Sequence, residues 1–411
     1  MGLSLLIISK SFPPNNSAQA LQSGKVAEAI ADAGVDVRVI AGIKDSDERP
    51  HMSGIKYIPY QEIAHSGKTG ALISKARNLL YHRHWIRNCV REVKRSIEEF
   101  RPNIIMSVSS PIESHQVVLD LGKKRDVKWV AYFSDPCPAC ISPTPYRYCR
   151  NALIDAYDRG KARLILSQAN AIILPSPYMV GIFESELGVQ IAGKTVAIPH
   201  IGTISNLKPM AIEHEYSGWL IHVGGIARQR CSSALLEGIN FLKNERDYRF
   251  PGLLCIGDVC PEFREMVHAA GLEDCIHFAG HMNPHAAEEY ARNAGCLLLL
   301  EAAMLRSVFL PSKFGDYVMT GLPILAITPH ISAVRDYMKR YSPGMAVSHN
   351  AKEIAAGLRI LFGTHAKDDI FRGEGSTELQ DEFSARFVAG RYIQVFETVL
   401  GRSTTRNSYE H

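Results

Sequence analysis

Lys313 and Asp316 stand three residues apart in the stretch Leu310-Pro311-Ser312-Lys313-Phe314-Gly315-Asp316-Tyr317-Val318-Met319-Thr320-Gly321. On a helix that spacing makes them neighbours. Pro311 suits the first turn of a helix, where a missing N–H costs nothing, and Gly321 suits the left-handed residue that ends one. A helix N-terminus attracts anions through its unpaired N–H groups and its dipole. Lys313 adds a mobile cation at that end. Asp316 can only accept hydrogen bonds, so it suits a ribose diol and not a phosphate. Pyrophosphate at the helix tip with ribose on the carboxylate would make a nucleotide-diphosphate site. A surface Lys–Asp pair on an ordinary crossover helix fits the same spacing.

A second stretch, His222-Val223-Gly224-Gly225-Ile226-Ala227-Arg228-Gln229-Arg230, follows an expected strand and precedes an expected helix. Gly224 and Gly225 permit close backbone approach, and Arg228 and Arg230 offer anion-binding forks. Its place after a strand's C-terminal end is where open α/β sheets bind ligands. Arg230 and Lys313 could converge on one diphosphate. Asp135 ends another expected strand and is the first candidate to position or deprotonate an acceptor hydroxyl. His115, early in the helix after Ser109-Ser110-Pro111, is the second. Either could instead be a capping or core-satisfying polar group.

The elements that must carry these residues alternate. Apolar runs of strand length occupy Leu3–Ile8, Val37–Ala41, Ile104–Val108, Trp129–Phe133, Ala171–Leu174 and Thr195–Ile198. They recur at Trp219–Val223, Leu253–Ile256, Ile276–Ala279, Cys296–Leu300, Pro323–Ile327 and Met345–Val347, with helical stretches between most of them. Continuous apolar runs predict strands buried on both faces of a parallel sheet. The expected fold class is α/β, with two doubly wound Rossmann-like domains facing each other across a cleft. Breaks in the pattern near 201–216 divide the chain into an acceptor-side domain, 1–205, and a nucleotide-sugar-binding domain, 206–378. A last helical stretch from about Leu379 to Leu400 lies within 379–411 and is expected to cross back to the N-terminal domain before a frayed tail.

Composition narrows the classes. A chain of 411 residues with 46% apolar residues suits two or three well-packed domains. A net charge of +4 does not imply nucleic acid as a partner. No apolar run approaches the ~20 residues of a membrane span, and Leu3–Ile8 lacks the basic flank of a signal peptide. The nine cysteines, scattered through apolar segments and loops, suit reduced thiols in a cytoplasmic protein. Cys137-Pro138-Ala139-Cys140 lacks a second CxxC or a neighbouring histidine, so no metal site is expected. Segment 68–95 is basic: Lys68, Lys75, Arg77, Arg83, Arg87, Arg91, Lys94 and Arg95 face one acid, Glu92, with Leu79, Leu80, Tyr81, Trp85, Ile86 and Val90 between. It could lie on an anionic membrane surface, or could be a solvated helix whose apolar side covers the sheet.

The order of these pieces resembles family 4 of the glycosyltransferases over most of the chain. Leu310-Pro311-Ser312-Lys313-Phe314-Gly315-Asp316-Tyr317 with Gly321-Leu322-Pro323 is the most specific match, although Asp316 stands where the family usually has glutamate. The family's earlier glutamate would fall at Val308. Val223-Gly224-Gly225 through Arg230 resembles the glycine–cation loop, with Arg230 at the usual lysine and Gly225 at a frequent arginine. Phe12-Pro13-Pro14 resembles the opening, with Asn15-Asn16-Ser17 for its paired glycines. Trp129 to Pro136 resembles an acceptor-side segment in which Ser134 replaces arginine. The resemblance implies the two-domain GT-B fold and transfer of a sugar from a nucleotide-diphosphate donor to a saccharide or lipid-linked acceptor, with retention of configuration. It assigns Gly224, Gly225, Arg228, Arg230, His281, Ser312, Lys313 and Asp316 to the donor, His281 through the base-binding loop.

No cofactor and no essential divalent ion follow from that chemistry, because Arg230, Lys313 and the helix tip would stabilise the leaving diphosphate. Polysaccharide or glycolipid assembly at the cytoplasmic membrane face is the expected setting. A nucleotide-sugar 2-epimerase on the same fold would need carboxylates around the donor sugar, and the C-terminal loops offer few acids. A catalytically inactive nucleotide-sugar-binding relative is the third class.

Overall fold

The computed structural model describes residues 2–45, 53–61, 67–122, 127–203, 215–246, 248–363 and 374–402; for 67–79 and 374–375 it describes the backbone alone. The expected joint near 201–216, with its boundary at 205/206, falls largely outside these residues. So do the tail beyond 402 and the side chains of Lys68, Lys75, Arg77 and Leu79.

The chain divides into two compact units. Unit 1 is Met1–Ser142, Arg147–Ile198 and Ala385–His411; unit 2 is Pro143–Tyr146 and Pro199–Ser384. Unit 1 runs β1 (Ser4–Ser9), α1 (Ala18–Asp32), β2 (Asp36–Lys44), β3 (Ile55–Tyr60), α2 (Gly67–Glu99), β4 (Ile104–Ser109), α3 (Glu113–Asp120), β5 (Lys128–Phe133), α4 (Ala152–Gln168), β6 (Ala171–Leu174), α5 (Tyr178–Leu187) and β7 (Thr195–Ala197). Its seven-stranded sheet has the order β3-β2-β1-β4-β5-β6-β7, with every pair parallel. Leu5, Leu6, Ile7 and Ile8 are fully buried, as a strand covered on both faces requires. Right-handed crossovers fix the layers. The step from β1 to β2 runs opposite to the steps from β4 to β7, so α1 takes one face and α3 to α5 the other.

Strand β3 was not expected. Its sequence Ile-Lys-Tyr-Ile-Pro-Tyr is short and carries Pro59, which cannot donate to a ladder. The structure resolves this by placing β3 at the sheet edge.

Unit 2 runs β8 (Leu220–Val223), α6 (Ser233–Lys243), β9 (Leu253–Ile256), α7 (Pro261–Ala269), β10 (Ile276–Gly280), α8 (Pro284–Arg292), β11 (Cys296–Leu300), α9 (Ser312–Thr320), β12 (Ile324–Ile327), α10 (Ala333–Tyr341), β13 (Gly344–Val347), α11 (Ala351–Phe362) and α12 (Glu374–Phe383). Its six-stranded sheet has the order β10-β9-β8-β11-β12-β13, again parallel throughout. Helix α11 packs on α6, while α12 packs on α9 and α10. The fold is thus two parallel-sheet Rossmann-like domains.

The C-terminal stretch is not one helix. It breaks at Ser384, whose N–H and hydroxyl both reach the Asp381 carbonyl. Helix α12 before the break belongs to unit 2, and α13 (Ala385–Val399) after it packs on α1 in unit 1.

Candidate functional site

In the unit 2 sheet the strand order reverses between β8 and β11. Crevices of doubly wound sheets open at the carboxyl ends of strands at such a reversal. Two segments meet there: the loop after β8 and helix α9, which follows β11.

Tyr317 joins them. Its hydroxyl accepts the Val223 N–H at 2.8 Å and reaches the Val223 carbonyl at 3.4 Å. The ring is 2% exposed, and burial pushes its phenol well up from the ordinary range. Tyr317 stands four residues after Lys313, so the same helical face brings Lys313 back over Gly224. A Cβ on Gly224 would lie 3.3 Å from Lys313 Cε and 3.9 Å from His222 Nε2, and Gly224 has φ +135°. Only glycine takes that backbone readily and leaves the approach open.

Helix α9 starts after Pro311, which makes no side-chain cap, and its first turn holds no acid. Pro311 therefore sits just before the first turn, not in it. The helix ends at left-handed Gly321, φ +67°, as the sequence predicts. Ser312 and Lys313 are half-buried at the tip.

Arg230 is half-buried, and its Nε donates to the Tyr146 hydroxyl at 3.3 Å. Its charge and that of Lys313 both act on the His222 ring. His222 is 4% exposed. Burial first, and then these two cations, lower its pKa to about 4 despite the bond to Leu298. A carbonyl can only accept, so His222 Nδ1–H donates to Leu298 O, at 3.0 Å. The neutral ring therefore turns an acceptor, Nε2, toward the Gly224 surface, where it has no protein partner among the described residues.

Of the expected donor residues, Lys313 lies over Gly224 with Ser312 beside it at the helix tip, and the charges of Arg230 and Lys313 both act on His222. Gly225 is exposed beside the Asp258 carbonyl. Arg228 turns to solvent, 81% exposed, and pairs with Glu262 at 3.8 Å. Exposed His281 follows β10, two strands from β8 and so about 10 Å across the sheet. Asp316 is half-buried, and its Oδ1 accepts the Thr203 N–H at 3.1 Å. Backbone contact explains this: a Cβ on Gly202 would fall 2.3 Å from the Gly315 carbonyl oxygen. Gly315 and Asp316 thus hold the 199–203 segment against α9, and part of the Asp316 carboxylate serves the fold.

The two acceptor candidates separate. Asp135 is exposed just beyond β5 and accepts the Ser134 hydroxyl at 3.1 Å. His115 is fully buried. Its Nδ1 lies 2.7 Å from Ser107 Oγ, which also accepts Trp129 Nε1–H at 2.7 Å, and its ring rests on Phe133 at 4.3 Å. Burial drives its pKa to about 3. His115 is thus a neutral, fully buried core histidine held by Ser107, as in the core-satisfying alternative of the sequence reading, with no surface open to an acceptor.

No family model matches the chain, and no curated protein matches it. Solved structures match almost end to end. Sucrose-phosphate synthase from Thermosynechococcus elongatus aligns over 98% of this chain and 100% of its own, with TM-score 0.67 and 15% identity. WaaG, a glycosyltransferase involved in lipopolysaccharide biosynthesis, covers 97% of this chain and 100% of its own, with TM-score 0.58 and 14% identity. The chain has the GT-B fold. A protein described as a UDP-N-acetylglucosamine 2-epimerase from Listeria monocytogenes also aligns over 100% of both chains, with TM-score 0.60 and 10% identity.

Sequence reasoning missed an acid. Glu301 follows β11 directly and is 4% exposed. It accepts the Ser307 hydroxyl at 2.5 Å and the Thr328 hydroxyl, and Thr328 Oγ1 lies 2.7 Å from Ser332 Oγ. Burial raises its pKa, while those hydroxyls and the charges of Arg230 and Arg335 oppose the rise. The few acids of the C-terminal loops thus include one carboxylate within electrostatic reach of Arg230. Tyr317, His222 and Tyr146 were missed as well. A hydroxyl four residues after Lys313 was the one available sign.

Proposed function

We propose that this protein is a retaining glycosyltransferase that moves a sugar from a nucleotide-diphosphate donor, held by unit 2, to a saccharide or lipid-linked acceptor, held by unit 1. The observation that carries this is the approach of Lys313, at the uncapped tip of α9, to Gly224 at the sheet's reversal point, with the charge of Arg230 reaching the neighbouring His222. As the glycosidic bond breaks, negative charge develops on the leaving diphosphate. Preorganised cations and N–H groups stabilise that charge most where water is scarce. The donor and acceptor hydroxyl become a glycoside, a nucleoside diphosphate and a proton. Asp135 or an oxygen of the leaving phosphate receives that proton. Asp316 takes the ribose, Ser312, Gly225 and Arg228 flank the diphosphate, and His281 flanks the base.

The acceptor side extends to the membrane. Trp85, Ile86, Cys89 and Val93 turn inward from α2, and Arg83, Arg87, Arg91 and Lys94 turn outward with Leu80. An apolar face on the sheet and a basic face outward suit a protein peripheral to an anionic cytoplasmic leaflet. Among the described residues no helix is long and apolar enough to cross a membrane. Sedimentation with anionic liposomes should fall on charge reversal at Arg83, Arg87 and Arg91; undiminished sedimentation would remove the membrane from the proposal.

The deciding experiment incubates the protein with nucleotide sugars and candidate acceptors and identifies products by mass spectrometry and NMR. A new glycoside with the donor's anomeric configuration, formed in EDTA, is expected. The second reading is 2-epimerisation of the nucleotide sugar, favoured by buried Glu301 and by the likeness to the Listeria protein. A free epimerised nucleotide sugar would establish it. Nucleotide binding without any turnover would point to a non-catalytic relative.

A further inference from the structure

Unit 1 has its own reversal point, between β1 and β4, and a second polar centre lies there. Lys10 follows β1, Lys44 ends β2, Tyr60 ends β3, and Ser110 follows β4. These ends surround an open cavity of about 400 Å³, also lined by His82, Ser11 and Ser17. Lys10 is only 4% exposed. Its ammonium lies 2.9 Å from His82 Nδ1 and 3.4 Å from Glu113 Oε1, and over the rings of Tyr60 and Trp85 at 5.0 and 5.7 Å.

A buried ammonium needs compensation. Glu113, in the first turn of α3, supplies it from behind. Burial alone would raise the Glu113 carboxyl, but His82 and the Lys10 charge hold it at about 2. The cavity wall itself is different. No carboxylate is among the described residues that line it, while Lys10, exposed Lys44 and His82 all are. Ser17 caps α1, and the first turn of that helix contains no acid, so a positive helix end adds to the wall. Lysines are compact point charges, and among the described residues no arginine fork lines the cavity to select a flat carboxylate.

We propose that this cavity binds the phosphate group of a phosphorylated ligand; resting on the glycosyl-transfer reading, that ligand is the acceptor. Lys10 and Lys44 hold the phosphate oxygens, and the α1 N-terminus and Ser11 complete the shell. Such a phosphate is carried either by a free sugar phosphate or by a lipid headgroup.

Calorimetry on the full chain tests the proposal with inorganic phosphate, glucose 6-phosphate and glucose. Cosedimentation with phosphatidic acid vesicles against phosphatidylcholine vesicles distinguishes the lipid source. A phosphate-bearing probe should bind and its neutral counterpart should not. That binding should weaken at least tenfold in Lys44→Ala, a surface change that the fold tolerates, and in Lys10→Met. Both variants should keep the wild-type thermal shift with nucleoside diphosphates, which shows that they are folded and that unit 2 is intact. Equal binding of neutral and phosphorylated probes would overturn the proposal, as would binding unaffected in both variants or no binding of any phosphate probe. Loss of every nucleotide response in the wild type would instead sink the donor assignment and leave the phosphate site standing.

Discussion

Lys313→Met is the sharpest perturbation of the unit 2 site. Methionine keeps an unbranched stem beside Gly224 and removes the ammonium with its charge and its N–H donors. A hydrogen bond to an ionised group contributes about 1.5–3 kcal/mol, so nucleoside diphosphate binding should weaken roughly 10- to 150-fold. The fold should hardly notice. Lys313 is half-buried at the helix tip, and Tyr317, the residue that ties α9 to β8, is unchanged. The change in unfolding free energy should therefore stay below about 1 kcal/mol. Burial dominates the depression of the His222 pKa, with the Arg230 and Lys313 charges adding to it. Losing the Lys313 charge should raise that pKa, visible as a shifted imidazole titration by NMR. The assay is calorimetry with UDP, GDP, ADP and TDP, with urea unfolding as the stability control. If the variant unfolds like the wild type and binds the preferred nucleotide with equal affinity, Lys313 does not touch the diphosphate and the site has been misplaced.

Gly224→Ala should cost about 1–3 kcal/mol in backbone strain at φ +135° and push Lys313 outward; urea unfolding and nucleotide calorimetry should both register it. Arg230→Ala should lower nucleotide affinity far more than Arg228→Ala, whose exposed pair with Glu262 contributes ~1 kcal/mol or less to stability; equal losses would refute the distinction drawn between the two arginines. Glu301→Ala leaves the Ser307 and Thr328 hydroxyls without their acceptor and should destabilise by roughly 1–3 kcal/mol in thermal or urea unfolding. The fold should also lose stability in acid. The pKa values of His222 and His115 fall from 6.5 to about 4 and about 3, so below pH 6.5 the unfolded chain takes up protons that the folded one refuses. Stability should decline from pH 6.5 to 4 for His222 and from 6.5 to 3 for His115, with a slope approaching about 1.4 kcal/mol per pH unit for each. His115→Gln should flatten that decline in urea titrations across the same range.

What could be read in the sequence depended on whether the physical cause was local. Continuous apolar runs such as Cys296–Leu300 declare a two-sided strand wherever they fall, and they placed most of both sheets. The α9 boundaries were legible because Pro311 and Gly321 act on their own backbone. Lys313 was legible for the same reason, since a cation at a helix tip is a local arrangement. His222 was not, because its tautomer is set by the Leu298 carbonyl on a strand 76 residues away. Asp316 has a second task, beside the proposed ribose contact, that the sequence did not show: the backbone of Thr203, 113 residues distant, occupies one of its oxygens. His115 carried a chemically able side chain at a strand-to-helix junction, and nothing nearby says whether such a ring turns inward.

Glu301 makes the same point in reverse. The resemblance looked for an acid at Val308, eight positions before Asp316, and found an apolar residue. The carboxylate instead ends β11, held by hydroxyls from the loop at 307 and from the region after β12. Both its oxygens accept hydroxyl protons, so it fixes the course of the chain from β11 to α9. Arg230 lies close enough to influence its charge. An acid in that position acts on the donor through the loop that it positions unless one of those hydroxyls is displaced. That is why the products formed, and not the presence of a carboxylate, must separate transfer from epimerisation.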